Sequence, residues 1–576
     1  MTYFLRFNKD GYTIFGAKLH FFLQVCKFFC TFVADLIRKP MKTRFSFLAS
    51  VLFICSAAIS QVHISVSDPE TWSAQELAPY IGQTVIFDVP IVVCSNYYTS
   101  LTVSTRRLYS PTNQAYPKTP EYNSVVSLNS TGTMTLSGVP YASPKHRCGE
   151  KIYNLKAKVN STGSLSWVSG EFRGNTRADL EKGIPDVGDY RLLVCTMNLE
   201  YYLTENTGSG SMGPGSYEAH QRQRTKVNKA LTKINADIYG LVEIEQGQEA
   251  PAEIAADLNA NLAERNYTYI NDGNSASGTY TKSAFVYDRN KVKPIGVLQH
   301  NNTGVKERKK MICFEEIATG ERFIFSVNHF KAKSGNGTGG DADKHDGQGG
   351  YNASRVTEAQ SVIDYYKRYY IQIKEKDILI MGDLNAYAKE DPITLLIDNG
   401  MIDLHRAFHA DSSYSYQYSG AAGYLDHAIS NGSLRPQVTG VAGFHINSDE
   451  SDDYTYDKSN DQTMFRCSDH DPVVVGLKLD STQTYDPSPA LNTYEVLAGE
   501  SDDLIIRNAA SRERAFYAIY TVSGLLIRQQ DLNGNFVDRK EIISEMEHVT
   551  LPGTAGMYIL YIYADGQVFQ RRFVVR

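Results

Sequence analysis

With 576 residues, 42% of them hydrophobic and 21% charged, the chain is long enough for roughly three or four globular domains and lacks the composition of a disordered or fibrous protein. Its net charge of −6 excludes association driven by a global basic field. It leaves room for a nucleic-acid partner met by local cations beside a carboxylate-lined site.

At the amino terminus, Met41 to Arg44 is a short basic run and residues 45–58 are an apolar core of signal-peptide length. Ala58 and Ser60 then place small side chains three and one positions before Gln61. The expectation is a secretory signal over 41–60, with 1–40 read from an upstream start and the mature protein exported. A membrane anchor within 21–37 is disfavoured by Gln24, Lys27 and Asp35, and by a length short of about 20 apolar residues. Cys26, Cys30 and Cys55 precede the expected cleavage, whereas Cys94, Cys148, Cys195, Cys313 and Cys467 follow it. Cys94 and Cys148 share a segment and are candidates to pair in an oxidising compartment. The other three fit buried thiols.

Residues 61–187 read as a β-rich accessory domain, a small barrel or sandwich, with strand signals at 83–93, 131–136 and 152–159 separated by Ser, Asn, Gly and Pro clusters. From Gly188 the texture changes to alternating strands and helices, which predicts an α/β domain over 188–480. Strand signals fall at 190–197, 237–243, 283–287, 323–327, 378–381, 424–426 and 473–477. Several deliver a polar residue at or just past one end: Asn198, Glu243, His329, Asp383 with Asn385, Asp426 with His427, and Asp469 with His470. One such residue is punctuation, but a set drawn throughout from metal-ligand and acid–base types predicts a converging site. The stretch 377–387 (DILIMGDLNAY) is its centre. A four-residue apolar strand ends at Gly382, and Asp383 and Asn385, at i and i+2, leave it on the same side.

Between these strands, residues 220–234 form a basic helical stretch with Arg222, Arg224, Lys226, Lys229 and Lys233. It reads as a solvated face, with phosphate contact as the alternative. A Gly-rich loop over 334–350 precedes a helix with Asn352 as expected N-cap and Arg355 in its first turn. Its Asp341, Asp343 and Asp346 leave a structural Ca2+ open, although their spacing is not that of a calcium loop. His405 and His409 have i, i+4 spacing but lack the glutamate of a zinc-protease helix, so packing histidines are the simpler reading. Residues 208–213 are a loop without a nucleophile-elbow register. Residues 481–492 are a polar, Pro-containing linker, and 493–576 read as a small β-sandwich.

The strand-end set resembles the endonuclease/exonuclease/phosphatase superfamily over about residues 190–478. Within it, the blocks 328–334, 346–355, 382–392, 424–427, 445–450 and 466–472 are similar to secreted bacterial extracellular deoxyribonucleases. The resemblance implies a four-layered α/β sandwich at the centre of the chain, flanked by the barrel-like domain and the C-terminal sandwich. It also implies a Mg2+- or Mn2+-dependent nuclease. On that basis Glu243 is the principal metal ligand, with Asn198 and Asp469 near the metal. Asp383 and Asn385 contact the attacking water and the scissile phosphate. His470, oriented by Asp426, activates water or binds phosphate, and His329 stabilises the pentacovalent phosphorus or protonates the leaving oxygen. Lys331, Lys333 and Arg355 are available for phosphate contacts. No carboxylate partner for His329 is evident, and glycines stand where relatives often carry loop cysteines. The motifs at 520–524, 551–558 and 571–576 resemble a type IX secretion sorting domain. The expected partners are therefore nucleic acid and the secretion machinery, for a monomer without stable membrane insertion after processing. A sphingomyelinase-like hydrolase of small phosphodiesters and a non-enzymatic surface binding protein are the competing readings. The intact acid and imidazole set argues against the second.

Overall fold

A computed structural model describes residues 62–97, 100–204, 213–273, 280–300 and 308–480, and shorter pieces between 494 and 575. The expected signal segment, the 481–492 linker and nearly all of the 208–213 loop lie outside the described residues. No helix among the described residues is long and apolar enough to cross a membrane.

The molecule is a mixed α/β protein with a β-rich amino-terminal region that includes a small closed barrel. The apolar run at 83–93 does not form one strand. Asp88 and Pro90 interrupt it, giving Thr84–Phe87 and Ile91–Tyr97. Strands Ile91–Tyr97, Ser100–Ser104, Met134–Ser137, Ser164–Arg173 and Lys151–Ser161 pair in that order, and pairing of the last with the first closes the ring. Period-two alternation in Lys151–Ser161 sends Leu155, Ala157 and Val159 inward, and an irregularity at Asn154 (φ 51°) lets Ile152 be buried as well. Cys94 and Cys148 are buried free thiols rather than a disulfide, as are Cys195, Cys313 and Cys467.

Beyond the barrel, strands β1 (Leu192–Tyr202), β2 (Ile238–Glu245) and β8 (Val473–Leu477) belong to one six-stranded sheet. Strands β3 (Arg322–Asn328), β4 (Ile378–Asp383) and β7 (Asp426–Asn431) belong to another. The run at 378–381 is apolar throughout because both faces of β4 are covered. Leu379 and Met381 join a cluster with Val194, Ile238 and Val242 of the first sheet. Ile378 and Ile380 pack instead with Ala359 and Val362 of helix α3 (Asn352–Ile373) and Ile393 and Leu396 of α4 (Asp391–Asp398). The outer face of the first sheet, with Cys195, Tyr239 and Leu241, receives α1 (Tyr217–Ile234) and α2 (Glu249–Asn261).

Pairing direction decides where the polar strand ends go. β1 and β2 are parallel, so Asn198 and Glu243 finish at one edge, and antiparallel β8 begins there just after Asp469 and His470. β3 and β4 are parallel, and antiparallel β7 opens with Asp426 directly opposite Asp383. The strand expected at 424–426 is therefore only the entry to β7.

The basic face of α1 is partly solvated, with Lys229 exposed, and most of its charges are bonded within the protein. Arg224 pairs with Asp257, and Lys226 is buried against the Asp461 carbonyl. Arg222, Lys229 and Lys233 donate to the carbonyls of Tyr456, Gln462 and Glu181. The barrel, for its part, is joined to the α/β sheets by a buried ionic seam. Arg147 and Arg177 both donate to the buried carboxylate of Glu450, and Arg107 and Asn175 donate to Asp449. Glu450→Ala removes the carboxylate that two arginines share, leaving Arg177 with Asp461 and Arg147 with the more distant Asp449, and is expected to cost about 3–5 kcal/mol, read as a lowered midpoint in denaturant unfolding. In the C-terminal pieces, strands Leu504–Asn508 and Ala515–Thr521, from two different sheets, share one apolar cluster with Gly556–Ala564.

Candidate active site

The two sheets touch at their polar edges. Asn198 Nδ2 donates to Asp383 Oδ2 at 3.2 Å, a bond from β1 across to β4. His329 Nε2 lies 3.6 Å from Glu243 Oε1 and 3.6 Å from Asp383 Oδ2. His470 Nε2 lies 3.9 Å from Asp383 Oδ2 and 4.0 Å from Asp469 Oδ2, while its Nδ1 meets Asp426 Oδ2 at 2.6 Å. Asn385 bonds Asp383 through its backbone N–H (2.8 Å) and directs Nδ2 to the Phe330 carbonyl (3.1 Å). Asn198, Glu243, His329, Asp383, Asn385, Asp426, Asp469 and His470 are thus all brought to one place.

Backbone strain accumulates there. Glu200, Tyr201, Glu243, Asn385 and Arg466 all take the left-handed conformation without being glycine. Gly382 has φ of +121°, and a Cβ at this position would sit 2.1 Å from the Asn328 carbonyl oxygen. Gly382→Ala must push β3 and β4 apart, and is expected to cost at least about 3 kcal/mol, measurable as a fall in Tm.

Electrostatically the centre is over-supplied with acid. Burial, then Asp469 and Asp383, push the Glu243 carboxyl up to about 7. Burial also raises Asp383, with His470 opposing. Burial disfavours a charged His470, but Asp426, Asp469 and Asp383 outweigh it and hold the ring well above the usual imidazole range. His329 is the reverse: burial, Arg308 and His470 push it well below that range. Its Nδ1 is buried without a hydrogen-bond partner among the described residues. The ring is accordingly neutral, a hydrogen-bond donor or acceptor rather than an imidazolium acid.

Two features escape a reading of strand ends. Glu200, two residues beyond Asn198, has a buried Oε2 without a hydrogen-bond partner among the described residues. Burial and Asp469 raise its carboxyl. The i, i+2 spacing from Asn198 was the available signal. Tyr416 stacks on His470 with centroids 4.6 Å apart, and no local pattern announces it.

The donor set suits a hard divalent cation. Glu243, Asp469 and Glu200 offer carboxylate oxygens and Asn198 an amide oxygen, and the orphaned Glu200 oxygen together with the raised acids marks negative charge awaiting a counter-ion. Among the described residues, the acids and histidines that bring ligand-type atoms within 4.8 Å of one another are instead Asp383, Asp426 and His470. The short Nδ1–Asp426 bond makes that trio a histidine–carboxylate pair facing an acid rather than a cage.

Other expectations are corrected. Arg355 is buried and bonds the Gln348, Gly350 and Lys331 carbonyls, so it holds the Gly-rich loop instead of meeting substrate. Lys333 is tied to buried Glu390. Asn352 lies inside α3, whose N-cap is Tyr351. Asp341 binds Ser354, Asp343 faces His345, and Asp346 receives the backbone N–H of Gln348, so the three do not share a Ca2+ cage. His405 packs on Tyr424 while His409 reaches the Val441 carbonyl, which removes the zinc reading. Lys331, by contrast, is exposed and lines a cleft of about 410 Å3 with Arg308, His329, Thr338, Ser354 and Thr357.

Residues 206–470 match the model of the Endonuclease/Exonuclease/phosphatase family. No curated protein matches the chain. Among solved structures, the endonuclease/exonuclease/phosphatase from Bacteroides vulgatus is 16% identical with a TM-score of 0.34, over 50% of this chain and 99% of that one. The mannosyl-6-phosphatase of Bacteroides thetaiotaomicron is 17% identical with a TM-score of 0.33, over 50% and 100%. D. rerio TDP2 complexed with single-strand DNA product is 12% identical with a TM-score of 0.34, over 50% and 99%. Over residues 206–470 the chain is thus similar to the Endonuclease/Exonuclease/phosphatase family, whose members hydrolyse phosphodiester or phosphate bonds.

Proposed function

We propose that this protein is a secreted, metal-dependent nuclease that hydrolyses extracellular DNA, with RNA as a further substrate. One observation carries the reading. Two amides and two imidazoles of opposite charge preference converge within about 4 Å of Asp383, with Asp426 in the same cluster, beside a cleft whose cations are Arg308 and Lys331.

Glu243, Asn198 and Asp469, joined by Glu200, would hold Mg2+ or Mn2+, which supplies positive charge to the phosphoryl oxygens when bound. His470, kept protonated by Asp426, donates from Nε2 to a non-bridging oxygen and steadies the charge that grows there. With His470 already protonated, the proton of the attacking water falls to Asp383, which Asn198 and the Asn385 backbone orient. Asn385 Nδ2, which donates to the Phe330 carbonyl and to Asp383 Oδ2, steadies that carboxylate against the phosphate. Neutral His329 donates a hydrogen bond toward the leaving oxygen. Lys331 and Arg308 meet phosphates along the cleft. The signal-peptide pattern at 41–60 and the C-terminal sorting-domain motifs support export, and the enzyme acts as a monomer.

The test is to incubate the mature protein with plasmid DNA, RNA and sphingomyelin, each with Mg2+, Mn2+ or EDTA, beside Asp383→Ala. Metal-dependent loss of DNA that the variant abolishes supports the proposal. Turnover of lipid alone replaces it with the small-phosphodiester reading.

A further inference from the structure

The barrel meets the α/β sheets at the hairpin β5 (Tyr416–Tyr418) and β6 (Ala421–Gly423), which leads into Asp426. Leu108 and Ser110 exchange backbone bonds with Ala422 (2.8 Å each), and Asn113 Oδ1 accepts from Tyr424 N–H. Arg107 lies in the same segment. Its guanidinium carbon sits 3.8 Å from the centre of the Tyr414 ring, and Nη2 donates to Asp449 Oδ1 at 2.5 Å. Tyr414 Oη donates to the other oxygen of Asp449 (2.8 Å), and the Tyr414 ring stacks on His445 at 3.7 Å and 5°. Two partners at stacking distance must occupy opposite faces, so Tyr414 is clamped between Arg107 and His445.

The next two residues act on the catalytic pair. Ser415 Oγ donates to Asp426 Oδ2 (2.7 Å), and the Ser415 carbonyl accepts from Asp471 N–H (2.8 Å), beside His470. Tyr416 lies on the His470 ring. From the far side, His445 is bonded to Asp471, and Asn447 Nδ2 donates to the His470 carbonyl. We infer that Arg107 is a positioning residue for His470, and that the amino-terminal barrel is thereby a built-in wall of the active site. The inference rests on the phosphodiesterase reading only for its kinetic readout. Arg107 touches neither the reacting atoms nor the Arg308–Lys331 cleft, so its loss disturbs turnover and leaves substrate capture intact. A planar guanidinium serves both the ring and the carboxylate, whereas an ammonium serves only the second.

The experiment compares the full mature chain with Arg107→Met, Arg107→Lys and the control Arg173→Met, whose partner Glu171 is exposed on the barrel surface. Hydrolysis of bis(p-nitrophenyl) phosphate with Mn2+ is measured beside backbone hydrogen exchange. Arg107→Met is expected to lower kcat about 10- to 100-fold and leave KM within about twofold. Exchange should speed up in 412–427 but not in the barrel strand 151–161. Arg107→Lys, which keeps the charge on Asp449, should fall between wild type and Arg107→Met, and it decides the matter if the methionine variant does not fold. Arg173→Met should behave as wild type. A normal kcat in both Arg107 variants overturns the inference, as does faster exchange spread evenly over the barrel. If the wild-type chain hydrolyses no phosphodiester, the nuclease reading fails on its own, and local exchange in 412–427 still decides the Arg107 coupling.

Discussion

His470→Ala is expected to lower kcat for phosphodiester hydrolysis roughly 10²- to 10⁴-fold with little change in fold. The ring contributes a protonated Nε2 beside Asp383, and Asp426 and Asp469 keep it protonated. Alanine removes that charge and also the surface on which Tyr416 rests. Asp426→Asn should give a loss of the same order by another route. The amide can donate to Nδ1, which places the ring in its other neutral tautomer and removes the counter-charge. The two losses should not add, because both variants abolish one charged unit. Steady-state kinetics on the two single variants and the double variant check this. A His470→Ala enzyme within about tenfold of wild type removes His470 from the mechanism.

Glu243→Gln is expected to raise the Mg2+ or Mn2+ concentration for half-maximal activity at least about 100-fold and to make the cation-free protein more stable. The second effect follows from linkage. The folded-state carboxyl sits at about 7, above its ordinary value of 4.5. The neutral acid therefore contributes stability that is present in full below about 4.5 and lost as pH rises through about 7. Glutamine has no charge to develop, so the metal-free variant should lose less Tm across that window than wild type, where Glu243 adds to the raised Asp383 and Glu200. Wild type should recover on adding cation, and the variant should gain little. Thermal melts in EDTA and in Mn2+, at pH 5 and pH 8, distinguish these cases. An undiminished cation-induced rise in Tm for Glu243→Gln would place the cation elsewhere.

The first prediction depends on a side chain that the barrel helps to hold. Asp449 and Glu450 occupy the same loop, and each answers arginines from residues 107–177. Elsewhere, Thr112 bonds Glu390, which in turn holds Lys333 of the Gly-rich loop. A region that reads as an accessory domain is thus bonded to two separate loops of the α/β region.

The strand-end set was legible in the sequence because its cause is local. An apolar run buried on both faces must stop before a carboxylate or imidazole can reach solvent, so the positions after Val327 and Met381 and before Val473 were marked by composition alone. The α/β texture and the β-rich character of the amino-terminal region were legible for the same reason, since period and turn residues are properties of short windows. What only the tertiary structure decided was partnership. The charges of Arg355, Lys333 and the face of α1 look the same in sequence whether they meet phosphate or a neighbouring carbonyl, and burial gave them to the protein itself. Likewise His329 and His470 are both imidazoles beside strand ends. One is neutral and one charged because Asp426, 44 residues away, faces only the second. Electrostatics at that range depends on which chains fold together, and no local pattern encodes it.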